Sequence, residues 1–228
     1  MSTGIDWQAI ALSVRLAAVV VAILLAISLP IAWWMTFRRR RWTFVVEAIV
    51  ALPLVLPPTV LGFYMLLAMG PRSPLGRLWE ALTGHGLAFT FEALVLASLL
   101  YSLPFVVQPI AAAFAQVDPT LLEASSMLGA SWWRTFTRVT VPLALDGILA
   151  GAVLGFAHTL GEFGVVLMVG GNLPGVTRTV SISIYDQVQS FQLDAANQTA
   201  LLLLASSMAA LVLVYGFLRK PWAVAPGA

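Results

Sequence analysis

His158 and Glu162 stand four residues apart inside a run, residues 147–170, that carries no other ionisable group. On a helix that spacing puts both on one face, within pairing distance. An imidazole and a carboxylate so placed could exchange a proton, satisfy each other, or line a path for an ion. Enzymatic acid/base work needs a third polar partner at useful spacing, and the run offers none. With two histidines, His85 and His158, and no cysteine, the chain also lacks the makings of a histidine or thiolate metal cluster. No glycine–lysine phosphate cradle occurs, so ATP chemistry is not expected in this chain. The expectation is therefore no catalytic residue and no metal ligand. Gly161, Phe163 and Gly164 around Glu162 suit close helix approach or local bending. A gate or pathway role follows, with a plain structural hydrogen bond as the alternative.

A second constellation lies at residues 118–138, a polar insert with Asp118, Glu123, Arg134 and Arg138, several hydroxyls and the pair Trp132-Trp133. Asp118-Pro119 reads as a helix start, with the acid capping and proline in the first helical position. Thr120 and Glu123 are also spaced as a capping box. Leu121, Leu122, Ala124, Ser125 and Leu128 give the short helix an apolar stripe, and Gly129 suits the left-handed residue that ends it. Ser131 then caps a second short helix through Trp132, Trp133 and Phe136. Such an insert is either an amphipathic element on the headgroups, anchored by its tryptophans, or a knob offered to a partner.

The elements that must hold these residues are membrane helices. Of 228 residues 60% are hydrophobic and 10% charged, against about 25% charged in a soluble domain, and mean hydropathy is +0.94. Uncharged stretches at 16–37, 48–69, 94–115 and 199–218, together with 147–170, are each about the 20 residues needed to cross a bilayer. The chain is expected to be an all-α integral membrane protein, residues 1–228 forming one domain. Five spans are expected near 10–37, 44–69, 88–115, 143–170 and 197–218. The first reads as a retained span rather than a cleaved leader. Pro53, Pro57 and Pro58 remove backbone donors inside the second span and should kink it, a theme repeated by Pro104 and Pro109 in the third.

Charge sets the expected threading. Arg38, Arg39, Arg40, Arg41, Arg134, Arg138, Arg219 and Lys220 fall on one side of a five-span layout, against Arg72, Arg77 and Arg178 opposite, with Arg15 at the entrance of the first span. By the positive-inside rule the N-terminus faces out, and the insert and the C-terminus face the cytoplasm. The basic excess belongs to that orientation, not to nucleic-acid binding. Short outer loops and the lack of an internal repeat argue against an inverted-repeat secondary carrier.

The insert also resembles the signature loop of ABC importer permeases. It reads Glu123-Ala124-Ser125, three residues, Gly129, nine residues, then Val139-Thr140-Val141-Pro142. Ser125 stands where that family has a second alanine, and Val139 and Val141 replace its isoleucine and leucine. Within the family the chain is similar to molybdate permease subunits through Leu52-Pro53-Leu54-Val55-Leu56-Pro57-Pro58, Gly161-Glu162-Phe163-Gly164, and Asn172-Leu173-Pro174-Gly175 with Thr177-Arg178-Thr179. Sulfate and tungstate permeases share much of this vocabulary. The resemblance implies type I ABC importer permease architecture with a cytoplasmic coupling helix. It implies a homodimer, two ATP-binding subunits that hold ATP and magnesium, and an external molybdate-binding protein, with no cofactor in this chain. It assigns Glu123, Ala124, Gly129, Trp132, Arg134 and Pro142 to ATPase coupling. Pro53, Pro57, Pro58, His158, Gly161, Glu162, Phe163 and Gly164 then fall to the translocation pathway and its gate.

No lysine or arginine lies within the uncharged spans, so the implied pathway would solvate an anion transiently with hydroxyls and amides, leaving tight capture to the external protein. Glu162 would then be paired or turned away from the anion. The competing classes are an ATP-independent channel or carrier and an intramembrane enzyme built on His158 and Glu162.

Overall fold

The computed structural model describes residues 4–37 and 41–218, and every regular element among them is helical. Arg38, Arg39, Arg40, Arg219 and Lys220, on which much of the charge asymmetry rests, lie outside the described residues. Helix α1 (Trp7–Phe37) is apolar on all sides, yet buries only a stripe at Ser13, Leu16, Val20, Leu24, Ser28 and Ala32. That three-to-four spacing is the inward face of a helix whose other faces point out of the bundle. Helices α2 (Thr43–Val55) and α3 (Pro58–Met69) follow, then α4 (Pro74–Thr83), capped by Ser73 and closed by Gly84 in the left-handed conformation. Helix α5 (Phe91–Ala115) is the central post, with half of its most apolar window buried.

Beyond α5 come two short helices, α6 (Pro119–Met127) and α7 (Trp132–Thr135), a π-helical turn Phe136–Thr140, and one further turn, α8 (Val141–Leu143). Helix α9 (Leu145–Gly161) crosses back, α10 (Gly164–Gly170) continues after a break, and α11 (Val180–Gln189) leads to α12 (Leu193–Leu218). Three helices, α1, α5 and α12, are long and apolar enough to cross a membrane, and there are five spans if each bent pair counts as one.

Two deep clusters hold the bundle. In the larger, Leu16, Val20 and Leu24 of α1 pack with Val106, Val107, Ile110 and Phe114 of α5. In the smaller, Leu61 and Met69 of α3 meet Ala93 and Ala97 of α5 and Val165 and Val169 of α10. Helix α9 lies close on α5 because Gly147, Gly151 and Gly155 present a bare ridge to it. A Cβ at Gly147 would strike Ala113, one at Gly151 would sit 2.9 Å from the Val106 carbonyl, and one at Gly155 would sit 2.5 Å from a Val106 methyl. In lipid, helices associate through this kind of close approach rather than through expulsion of water.

The prolines act unequally. Pro30, Pro53, Pro104 and Pro109 are absorbed inside α1, α2 and α5, which remain continuous. The tandem pair Pro57-Pro58 is not. Each proline drives the residue before it out of helical ψ, and Leu56 and Pro57 both stand near ψ 135°. Pro58 then starts α3 from its first turn, and the two halves meet at 110°. The expected kink is therefore a break.

Candidate functional site

The insert is built from caps. Asp118 accepts from the Thr120 backbone N–H at 2.9 Å, and this donor holds the Asp118 carboxyl below its ordinary pKa. Thr120 thus lies within α6 and does not cap it, so the Thr120–Glu123 box gives way to Asp118. At the far end Gly129 has φ +74°, Ala130 N–H donates to the Ser125 carbonyl at 3.1 Å, and Gly129 N–H donates to the Ser126 carbonyl at 3.0 Å. This paired closure satisfies the last carbonyls of α6 and turns the chain back. Ser131 caps α7 by accepting from Arg134 N–H at 3.4 Å. Ser125, where the resemblance expects alanine, puts its hydroxyl 2.8 Å from that of Thr135 and ties the two short helices together.

No residue of α6 is buried, and Glu123, Ala124, Gly129, Trp132, Arg134 and Pro142 are all exposed. Met127 and Leu128, at the tip beside Gly129, are 89% and 88% exposed, the profile of an apolar contact awaiting a partner. Sequence reasoning passed over Met127. Its signal was an unbranched apolar residue two positions before the left-handed glycine.

The second half of the insert is welded to the bundle by aromatic rings. Trp132 stacks on Phe136 at 5.7 Å and meets Trp33 of α1 edge-on at 5.0 Å. Trp33 leads to Phe37 at 6.0 Å, Phe37 to Phe114 of α5 at 6.2 Å, and Phe114 back to Phe136 at 6.1 Å. Pro142 has no N–H to offer the carbonyl four residues back, and the π-helical turn stands where that bond would have been. The arm 132–143 then meets α9 at 71°.

The His158 and Glu162 constellation gathers where the helices break. Helix α9 ends at Gly161, and Glu162 leaves it with ψ 135°. The face that would have paired Glu162 with His158 is therefore lost. His158 Nδ1 lies 3.0 Å from the Ser102 hydroxyl, which is itself 2.9 Å from that of Thr159, and the ring stacks on Phe105 at 3.9 Å. Glu162 is 4% exposed, and among the described residues its carboxyl has no charged partner and faces the Ser98 hydroxyl of α5 outside good hydrogen-bond geometry. Ser98 on α5 is likewise buried with an unsatisfied hydroxyl. Ser98, Ser102 and Thr159 were not singled out from the sequence, although four-residue spacing on one apolar helix marked the two serines.

Gly164 opens α10 directly against the other break, since a Cβ there would lie 2.7 Å from Pro58 Cβ. Pro58 and Gly164 thus join the two discontinuities, and Phe163 turns to Tyr185 of α11 at 5.1 Å. Pro53 is buried within α2, Pro57 is exposed at the bend, and Gly161 is exposed with open space about it. At the opposite end of the bundle from the insert, Arg178 donates to Asn172 at 2.6 Å and lies 3.9 Å from Asp6 and 3.5 Å from Asp186, drawing α11 to the start of α1.

A multi-pass helical bundle with two broken helices in contact and a capped helical arm projecting from one end defines a membrane transport domain of the permease class. Residues 18–220 match the family of binding-protein-dependent transport system inner membrane components, and the chain belongs to that family. It is 51% identical over 195 residues to the molybdenum transport system permease protein ModB of Azotobacter vinelandii, covering 86% of each chain. It is 37% identical over 188 residues to ModB of Escherichia coli K12, covering 82% of each. Among solved structures it superposes on a bacterial alginate importer with a TM-score of 0.75 at 16% identity, covering 94% of this chain and 79% of the other. An inward-facing MetNI methionine transporter gives 0.71 at 17% identity, covering 93% and 94%. The fold is that of an ABC importer permease, and the chain is a multi-pass membrane protein.

Proposed function

We propose that this chain is the membrane-spanning subunit of an ATP-driven importer that passes molybdate into the cytoplasm by alternating access. The observation that carries the cargo is 51% identity to a molybdenum permease across 86% of both chains. Sulfate and tungstate permeation is the less favoured reading. The working assembly is two copies of this chain, two ATP-binding subunits supplying ATP and magnesium, and an external molybdate-binding protein. The chain itself is non-catalytic. Its N-terminus lies outside, and the insert and the C-terminus lie in the cytoplasm.

In this reading α6 and the exposed Met127 and Leu128 seat on the ATP-binding subunit, with Glu123, Ala124, Gly129 and Arg134 shaping the seat. Trp132 serves by anchoring the arm to α1, and Pro142 by fixing where the arm bends. The gate is the contact between the breaks at Leu56-Pro57 and Glu162-Phe163, with Gly161, Phe163 and Gly164 as its moving backbone. His158 is held in a side-chain network beside it, and Pro53 packs the fixed half of the broken span. Glu162 has no open access in this conformation, in keeping with an acid that does not touch the anion at rest. ATP-dependent molybdate uptake in vesicles, competed by tungstate and sulfate, tests the proposal. Uptake that persists without ATP refutes the importer, and stronger competition by sulfate than by unlabelled molybdate refutes the cargo.

A further inference from the structure

Helix α4 has an apolar face that its own fold does not use. Around its axis Leu75, Leu78 and Leu82 fall within about 60° of one another, with Arg77 and Glu80 about 100–160° away from them. The helix turns a different side to the bundle. A Cβ at Gly76 would strike the Gly70 carbonyl, and Trp79 packs against the smaller core cluster. The three leucines belong to neither core cluster and stand 45%, 58% and 76% exposed. Apolar and polar faces are segregated more sharply here than on α1 or α5, while the helix as a whole is far less hydrophobic.

Three observations say what covers the stripe. The first is position. Residues 70–90 join the end of α3 to the start of α5, so α4 lies at the membrane face opposite the insert. At about 15 Å long it is too short to leave that face and cross. The second is composition. A sharply segregated helix of low overall hydrophobicity is the kind that lies along a bilayer boundary with its apolar side down. The third is residue type. Protein-binding faces draw most of their energy from Trp, Tyr and Arg, and Leu is under-represented there. Trp79, the one aromatic residue of α4, is committed to the bundle. The stripe is leucine alone, which suits acyl chains and offers a partner protein no polar anchor.

We propose that α4 is an interfacial helix, its Leu75, Leu78 and Leu82 seated among the acyl chains at the membrane face opposite the insert. The seat matters because α4 is tied rigidly to α3. The Ser73 hydroxyl lies 2.5 Å from the Ala68 carbonyl and 2.8 Å from that of Gly70, and it accepts from Gly76 N–H at 2.8 Å. Helix α3 begins with Pro58, which meets Gly164 at the contact between the two broken helices. The bilayer thus holds α3 in place while α10 moves against it. The lipid contact stands independently of the transport reading, and only the bracing of α3 rests on it.

The chain has no cysteine, so a single replacement carries a single spin label. The full chain is reconstituted in phosphatidylcholine vesicles with the label at Leu75→Cys, Leu78→Cys, Leu82→Cys, Arg77→Cys or Glu80→Cys in turn. Collision with oxygen, which concentrates among acyl chains, is compared with collision with a water-soluble nickel chelate. Oxygen should dominate at the three leucine positions and the chelate at 77 and 80. Chelate dominance at all five overturns the proposal. Exclusion of both reagents from the leucine positions overturns it in favour of a protein partner. The pattern is read without ATP or anion, so it can fail while the transport reading stands. Leu78→Glu, at an exposed site outside the core, should shift the label at Leu82→Cys from oxygen to chelate, and Leu78→Phe should not. No shift in Leu78→Glu overturns the stripe as the anchor. Molybdate uptake by the assembled transporter should fall severalfold in Leu78→Glu with unchanged thermal unfolding in detergent, and uptake equal to wild type overturns the bracing of α3.

Discussion

Gly129 offers a perturbation whose size follows from the structure. Its φ is +74°, a region where an L side chain costs roughly 1–2 kcal/mol, and nothing lies within 4 Å of where a Cβ would be. Gly129→Ala therefore adds backbone strain and no clash, and the strain acts on the turn that closes α6 and starts α7. A penalty of 1–2 kcal/mol reduces the population of the folded-back insert roughly 5- to 30-fold relative to its alternatives. Asparagine tolerates the left-handed region far better, so Gly129→Asn should recover most of the loss. The assay is ATP-driven molybdate uptake by the assembled transporter in proteoliposomes, read beside co-purification of the ATP-binding subunit. Alanine should lower both, asparagine should restore both, and the thermal unfolding of the bundle should not change. An alanine variant equal to wild type, or an asparagine variant as impaired as alanine, would refute the reasoning.

Other expectations are as direct. Gly151→Val should destabilise the solubilised protein by about 1–3 kcal/mol, because a side chain must fit where the Val106 carbonyl lies 2.9 Å from a bare Cβ; thermal unfolding in detergent measures it. Ser125→Ala should leave α6 intact and loosen only its tie to α7, which the rings still hold, read as faster hydrogen exchange at Thr135 with unchanged thermal unfolding. The Asp118 cap, whose carboxyl titrates below its ordinary value, is fully present above about pH 4 and fades as pH falls through that lowered value. The protection of the Thr120 amide, measured against its intrinsic exchange rate, should therefore be greatest at neutral pH, fall in acid, and lose its pH dependence in Asp118→Asn. Glu162→Gln should raise thermal stability by about 1–3 kcal/mol, since it removes a buried acid that has no charged partner and only the Ser98 hydroxyl beside it, and a decrease would mean that Ser98 satisfies the acid in the folded protein.

What could be read from the sequence was what local chemistry decides. Asp118-Pro119 and Gly129 specify their helix ends by side-chain reach and by φ, so the insert was legible nearly residue by residue. Spans were legible from uninterrupted apolar runs. Three things were not. A single proline and a tandem pair look alike to a hydropathy scan, yet only the pair forces two consecutive residues out of helical ψ and breaks the span. The i, i+4 pairing of His158 with Glu162 assumed one continuous helix, and the break at Glu162-Phe163 withdrew that assumption. The third was long-range: Ser102 is 56 residues from His158 in sequence, and only the packing of α5 on α9 brings them together. The Gly147, Gly151 and Gly155 ridge that permits that packing was in view as a four-residue repeat.

These features form one continuous load path. The tip of the insert is apolar and free, but its second helix is fixed to α1 and α5 through the rings from Trp132 to Phe114. A push on α6 therefore cannot be absorbed by a floppy loop. It is delivered through Ser125–Thr135 to α7, and from the arm across the 71° bend into α9. Helix α9 is locked to α5 along its glycine ridge and ends at the break before Phe163. Beyond it, α10 is seated on α3 through Gly164 and Pro58. Closely packed elements transmit strain because they have no slack to take it up. The compliant points in this path are the two breaks, where backbone hydrogen bonding already stops and a small change in ψ costs no ladder. Motion entering at the insert should therefore appear at Pro58 and Gly164, and not within α1, α5 or α9.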